Sequence, residues 1–332
     1  MPTNYWLKFG NSACGFNGSG VQIATTIGQL AVSLSITGKN YNAAKTFGIT
    51  VTFGSPIAYT VDGVTVQTPT ATYTASMKAG DSVTLGCIPE GTTYSVTETA
   101  VSSADAAICY GNGTVTNGSG TMVADTIVSV VANFTYGATI GGRFYNVAPM
   151  PDGKIWLAEN LDYKADGITI GGTDYSVPQA CYYDNNEALY GANGRNCGLM
   201  YSYYGTMYLI ENQATLTPGW HVPSTTELGN LSSALGDSAG TKLKASSVSW
   251  ATGWGGTDDY GFCALPGGYR RNSFAFSGKD TILASSRGLS SSTIWAGLYK
   301  LSTNTDFSST IIPLSSNISD VKANVYVRLV KD

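Results

Sequence analysis

Between residues 28 and 136 apolar and polar residues alternate in one short run after another. A period of two places successive side chains on opposite faces, so such runs fold as strands with a single buried face. Gln29-Leu-Ala-Val-Ser-Leu-Ser-Ile-Thr37 alternates over most of its length, and Phe47-Gly-Ile-Thr-Val-Thr-Phe53 repeats the pattern. Residues 71–77, 82–87, 93–99 and 127–135 continue it, with turn residues at Ala79-Gly-Asp81 and Pro89-Glu-Gly91. Regularly spaced short strands with turn punctuation predict a mostly β sandwich over 28–136, preceded by an attachment segment at 1–27. Three Lys against six acidic residues leave this region little for electrostatic recognition.

The 332 residues are 43% apolar, enough for about two domains with packed cores. Only 12% are charged, about half the usual share. A net charge of −4 without a Lys/Arg cluster excludes a nucleic-acid partner. Polar residues interrupt every apolar run before the ~18 residues of a membrane span, so no membrane insertion is expected. The 21 Tyr, 10 Phe and 6 Trp argue against disorder. The N-terminus lacks a basic stretch followed by an apolar one, which is not the pattern of a secretory signal and directs the expectation toward a virion component or a replaced leader.

His221 is the single histidine, which removes histidine metal clusters and most triads. The six cysteines, at 14, 87, 109, 181, 197 and 263, form no metal-binding spacing. Cys87 with Cys109 and Cys181 with Cys197 are the local disulfide pairings available, and buried thiols are the reading placed ahead of them.

Asp81-Ser-Val-Thr-Leu-Gly-Cys-Ile-Pro-Glu-Gly-Thr-Thr-Tyr-Ser-Val-Thr-Glu98, followed by Val130-Val-Ala-Asn-Phe-Thr-Tyr136, resembles the immunoglobulin-like stalk domains of Gram-positive pilins and adhesins. That resemblance implies an intramolecular Lys–Asn isopeptide bond with Glu98 as its catalytic acid. The aligned lysine position holds Leu34 and the closing asparagine position holds Tyr136, with Lys45 and Asn133 as shifted alternatives. A sandwich without the cross-link, acting as a spacer, is the expectation.

Gly137-Ala-Thr-Ile-Gly-Gly142 marks a linker. Beyond it lie all six Arg, five of the six Trp and His221. Six ordered blocks run through this module: Pro151-Asp-Gly-Lys-Ile-Trp-Leu-Ala-Glu-Asn-Leu161, Gly198-Leu-Met-Tyr-Ser-Tyr203, Pro218-Gly-Trp-His-Val-Pro-Ser-Thr-Thr-Glu-Leu228, Lys242-Leu-Lys244, Gly261-Phe-Cys-Ala-Leu-Pro-Gly-Gly-Tyr-Arg270 and Val325-Tyr-Val-Arg-Leu-Val-Lys-Asp332. Over nearly its full length the module resembles the Fibrobacter succinogenes major paralogous domain family. The resemblance implies an α+β, C-type-lectin-like fold of the formylglycine-generating type with much irregular loop, over 143–332. Such domains occur in bacterial surface proteins and in the variable proteins of diversity-generating retroelements.

Physical patterning accompanies the blocks. Trp156, Leu161, Trp220, Phe262, Leu265 and Tyr269 stand mostly near Gly or Pro, as anchors of an irregular fold do. Leu228, Leu231 and Leu235 at i, i+3 and i+7, with Ser224 and Glu227 in capping-box spacing, predict a helix over 225–235. A second helix is expected over 206–214.

No nucleophile or carboxylate is tied by spacing to His221, which is read as structural. Asp258-Asp259 and Asp184-Asn-Asn-Glu187 offer oxygen ligands without the spacing of a calcium loop, and read as solvated turns. Formylglycine-generating relatives use paired cysteines and copper, and Cys181, Cys197 and Cys263 stand in no matching motif. The chain is therefore expected to have no catalytic residues, no metal and no cofactor.

Between Gly267-Gly-Tyr-Arg270 and Val325 lies a stretch of Ser, Thr, Asn, Phe, Ile, Leu and Tyr without a clear period. Ala284-Ser-Ser286 and Trp295 resemble landmarks of retroelement variable regions. The expected recognition surface comprises Arg271, Asn272, Phe274, Phe276, Leu289, Ser290, Thr293, Leu298, Lys300 and Phe307, with Trp295, Tyr326 and Val327 pointing inward as scaffold. Rigid aromatic groups among adaptable polar ones suit a binding face. The expected function is that of a ligand-binding adhesin or receptor-binding protein on a virion or bacterial surface, with a protein or glycan partner. A trimer or attachment to a virion is compatible with that role. The alternative is a structural, pilin-like filament or stalk subunit.

Overall fold

The computed structural model describes residues 4–9, 12–17, 26–286, 294–313 and 323–332, with side chains described for 26–64, 69–286, 298–310 and 323–332. The chain divides into two compact units, Met1–Tyr136 and Gly137–Asp332.

The first unit opens with an antiparallel pair, β1 (Asn4–Phe9) and β2 (Ser12–Asn17). There follow β3 (Ile27–Gly38), β4 (Thr46–Val61), β5 (Val64–Lys78), β6 (Ser82–Pro89), β7 (Thr93–Glu98), the short helix α1 (Ser103–Ala107), β8 (Tyr110–Thr116), β9 (Ser119–Thr121) and β10 (Ile127–Tyr136). β3 pairs in parallel with β10 from Gln29↔Ile127 to Gly38↔Tyr136, and antiparallel with β6. β4 pairs with β7 through Ile49–Phe53 but with β6 at Thr60 and Val61, and its register with β5 shifts between Thr52 and Ile57. β4 therefore bends from one layer to the other. The layers meet where Phe47 of β4 stacks on Phe134 of β10, ring centroids 4.0 Å apart. Leu30, Val32, Ile49, Val51, Val130 and Ala132 are buried in the same core, each apolar side chain of Val or Leu size contributing about 1.5–3 kcal/mol.

The strands run longer than the alternation predicts because β4 and β5 form one hairpin. Its turn is Asp62-Gly63, both with left-handed φ (47° and 83°), the two-residue turn whose twist suits paired strands. Lys45 is ion-paired with Asp105 at 2.5 Å, and the Asn133 carboxamide oxygen accepts from Ser35 Oγ (2.8 Å) and Thr37 Oγ1 (3.1 Å). Glu98 accepts from Asn112 Nδ2 at 3.0 Å, while Leu34 and Tyr136 are buried. Cys87 is held in a disulfide bond, whereas Cys109, Cys181 and Cys197 are buried thiols, so neither local pairing forms.

In the second unit β11 (Ala138–Ile140) pairs with β12 (Arg143–Tyr145), so the expected linker is built into a hairpin. The chain continues through β13 (Val147–Pro149), β14 (Ile155–Leu157), β15 (Thr169–Ile170), β16 (Gln179–Cys181), helix α2 (Glu187–Tyr190), β17 (Met200–Ser202), α3 (Tyr203–Glu211), α4 (Gln213–Leu216), β18 (Trp220–His221), α5 (Thr225–Leu235) and α6 (Ala239–Leu243). It ends with β19 (Tyr269–Arg271), β20 (Ser273–Ala275), β21 (Thr281–Leu283), β22 (Ile294–Leu301), β23 (Phe307–Pro313), β24 (Ala323–Tyr326) and β25 (Val330–Lys331). The smaller sheet has the order β13-β14-β25-β18. In the larger one, β24 pairs along one edge with β17 and along the other with β19 and β21.

α5 forms where its periodicity places it, closed by the Ser224–Glu227 capping box and burying Leu228, Leu231 and Leu235. The expected 206–214 helix is two pieces, α3 and α4, meeting at Asn212.

The core of this unit closes around Arg328, which is 2% exposed. Its Nε and Nη2 donate to Asn160 Oδ1, its Nη1 donates to the Phe262 carbonyl, and its guanidinium lies 4.2 Å from the centroid of the Phe262 ring. Asn160 Nδ2 donates in turn to the Cys197 carbonyl at 2.8 Å. Backbone bonds from Leu157 to Leu329, Leu161 to Val327 and Leu199 to Leu161 bind three sequence blocks to this knot. No helix among the described residues is long and apolar enough to cross a membrane.

Candidate recognition site

The hairpin β19–β20 leaves the large sheet beside β24, with cross-strand pairs Tyr269↔Ala275, Arg270↔Phe274 and Arg271↔Ser273. Period two sorts these side chains onto two faces. On one face the Arg270 guanidinium lies 4.8 Å from the Phe274 ring and 5.3 Å from the Tyr175 ring, and Phe274 packs on Tyr183 at 5.1 Å. Tyr175 and Tyr183 are buried, so this face is packed against the domain.

The other face carries Tyr269 and Arg271 and continues into Phe276. Phe276 is 50% exposed and stacks on the Tyr269 ring, centroids 5.4 Å apart and planes 12° from parallel. Its φ of 61° is left-handed. Asn, Asp, Ser and Cys make up all the other non-glycine residues with positive φ among the described ones, so Phe276 is the single bulky side chain held this way. The conformation is enforced by two amides, those of Lys279 and Asp280, both donating to the Phe276 carbonyl at 3.0 Å. Lys300 Nζ lies 5.7 Å from the Phe276 ring centroid and pairs at 2.7 Å with Asp280, whose carboxylate is 7% exposed. Burial pushes the Tyr269 phenol up, opposed by Lys300 and Arg271 and aided by Asp280.

The structure divides the described part of the expected surface into three groups. Arg271, Asn272 and Phe276 are exposed and Lys300 is half-buried beside them. Phe274 is half-buried on the packed face. Leu298 and Phe307 correct the expectation: they are 0% and 4% exposed. β22 and β23 pair antiparallel with α5 against them, Leu301 opposite Phe307, and the Ser232 hydroxyl donates to the Phe307 carbonyl at 2.8 Å. Leu289, Ser290 and Thr293 lie outside the described residues, as does the side chain of Trp295. Tyr326 and Val327 are fully buried. From sequence Tyr269 reads only as an aromatic anchor and Asp280 carries no role, although alternation from Tyr269 to Ala275 already separates Phe274 from Tyr269 and Arg271.

The other chemical candidates are each engaged within the fold. His221 Nδ1 contacts Asp332 Oδ1 at 2.5 Å and its Nε2 lies 3.0 Å from Glu227 Oε1. Burial draws the Glu227 carboxyl up, but the Ser224 amide, Lys154, the Ser224 hydroxyl and His221 outweigh it and hold it down at about 2. Asp258 and Asp184 occupy left-handed turn positions, and Asp258 accepts from the Cys263 amide at 2.7 Å. Burial pushes the Cys181 and Cys197 thiols up to about 11 and about 12, which keeps them protonated and poor ligands. Among the described residues no group of three His, Cys, Asp or Glu side chains is placed to hold a metal ion.

Residues 152–331 match the model of the Fibrobacter succinogenes major domain, and residues 28–135 match a domain of unknown function, DUF7601. No curated protein matches the chain. Among solved structures it is similar to a pilus-presented adhesin, Cpa, at 19% identity over 34% of this chain and 27% of that one, TM-score 0.27. It is also similar to two major pilins from Streptococcus pyogenes. The T-13 pilin is 17% identical over 33% of this chain and 45% of its own, TM-score 0.25. The other is 20% identical over 37% and 53%, TM-score 0.24. The chain thus spans about a quarter of the adhesin and about half of each pilin.

Proposed function

The chain belongs to the Fibrobacter succinogenes major domain family, whose model covers more than half of it, and on that premise we propose that it is a non-catalytic, ligand-binding protein of a cell or virion surface. The first unit is a spacer or attachment module. The second is a C-type-lectin-like recognition domain, and the stretch between Arg270 and Val325 is its diversified region.

One observation carries this reading: Phe276, half exposed and in a backbone conformation costly for a bulky residue, is held out on a ring stack. Strain of about 1–3 kcal/mol persists where surrounding structure over-determines it, and it concentrates at functional sites. The division of labour points the same way, since the blocks of the family motif are mostly buried around Arg328 while Arg271, Asn272 and Phe276 stand in solvent. Substitutions on that hairpin face change the surface without touching the core.

The test of binding is labelled full-length protein applied to a panel of bacterial and animal cells, with Phe276→Gly as the variant. Staining of some surface that the variant loses supports the reading, and equal staining by both overturns it. For diversification, a reverse-transcriptase gene and a near-copy of the 3′ end of the coding sequence are expected beside the gene. A sortase and pilin cluster there instead would favour a filament subunit.

A further inference from the structure

The charge around the aromatic pair is opposite in sign to that of the chain. The protein carries a net charge of −4, yet residues 267–283 together with Lys300 hold four cations, Arg270, Arg271, Lys279 and Lys300, against Asp280 alone. Arg270 is turned to the packed face, and Lys300 is partly neutralised by Asp280. Arg271 and Lys279 are exposed, and among the described residues no carboxylate pairs with either. Lys279 belongs to the turn that fixes Phe276, and Arg271 lies two positions along β19 from Tyr269, on the same face. Two exposed cations, without a carboxylate partner among the described residues, therefore stand in the segments that carry the two stacked rings.

We propose that the Tyr269–Phe276 face takes an acidic protein segment, its carboxylates on Arg271 and Lys279 and an apolar or aromatic side chain of the partner against the exposed ring of Phe276. This rests on the recognition role given to the hairpin and names its partner. Aromatic residues and Arg are the groups enriched at the centres of protein interfaces, and cations around them steer and orient an oppositely charged partner. The one nearby carboxylate, Asp280, is buried and committed to Lys300, so the accessible formal charge beside the ring is positive only and favours an anionic partner over a neutral sugar.

The experiment measures fluorescence anisotropy of a labelled random Glu–Tyr copolymer titrated with the full chain, beside a Lys–Tyr copolymer, polyglutamate and polygalacturonate. The Glu–Tyr copolymer is expected to bind best and the Lys–Tyr copolymer not at all. Raising salt from about 50 to about 500 mM is expected to weaken binding about tenfold or more, since exposed charges are screened. The double variant Arg271→Glu, Lys279→Glu is expected to lose about tenfold or more, with its melting temperature unchanged as proof of folding. Absence of Glu–Tyr binding, equal binding by the double variant, or preference for polygalacturonate overturns the acidic-peptide proposal. Each of those results leaves the recognition role standing if cell staining still depends on Phe276, whereas staining indifferent to Phe276→Gly removes that role itself.

Discussion

Arg328 and Asn160, 168 positions apart, close the core of the second unit: Nε and Nη2 of one guanidinium donate to a single carboxamide oxygen at 3.1 and 2.9 Å. Burial is the larger influence on this arginine and draws its pKa down to about 10. A buried cation is tolerated only with its donors satisfied.

Replacing Asn160 with Ala strips the oxygen from that cation, and the expected cost is about 3 kcal/mol. In urea unfolding the transition of the second unit should move to lower denaturant. An unchanged midpoint would show that water replaces the carboxamide and that the knot is not structural. Arg328→Lys is expected to be nearly as damaging, because an ammonium cannot present the two parallel donors.

Phe276→Gly separates stability from recognition. Glycine accepts a φ of 61° without strain, a gain of about 1–3 kcal/mol, while the lost ring stack costs about 0.5–1.5 kcal/mol. Loss of the ring's half-buried apolar area and the larger unfolded-state entropy of glycine offset the remainder, so the variant should melt within a few degrees of the parent. A larger fall would mean that the ring is held by packing rather than presented against strain.

Leu298→Ala and Phe307→Ala should each cost about 2–5 kcal/mol as cavities in a packed core. Arg271→Ser, on an exposed hairpin end, should stay within about 0.5 kcal/mol. Calorimetry on the three variants decides between the buried positions seen here and the surface role expected of all three.

Acid should unfasten the second unit through Glu227. Its folded pKa, about 2, lies below the ordinary carboxyl value. A depressed carboxyl pKa gives stability that is present above the unfolded value and lost as pH falls from there toward the folded one, so melting temperature should drop between about pH 5 and pH 2. Glu227→Gln removes the pairs to Lys154 and His221 and should flatten that limb. An acid limb identical to the parent's would assign acid unfolding to other groups.

The intact mass should equal the sequence mass less the hydrogens of disulfide formation, with no ammonia lost, because Lys45 is committed to Asp105 and Asn133 to two hydroxyls. After unfolding without reductant, Cys181 and Cys197 should alkylate and Cys87 should not. A mass short by one ammonia would show an isopeptide cross-link.

Local pattern carried much of this protein. Alternation around Leu30, Val32 and Leu34 reads as a strand because a pleated chain can bury only every second residue, and the leucine triplet after Ser224 reads as a helix because its period matches one face. Both readings need neighbours only a few residues away. What sequence could not decide is which apolar residue meets which distant partner. Leu298, Phe307 and Phe276 look alike in a polar stretch, yet β22–β23 pairing under α5 buries the first two, while two amides of a turn hold the third in solvent. The long reach of Arg328 to Asn160 was equally invisible, since a lone Arg near the end of a strand-like stretch is normally solvated. Burial is a property of the packed layers, and only the tertiary fold brings together the groups that satisfy a buried charge or leave a ring uncovered.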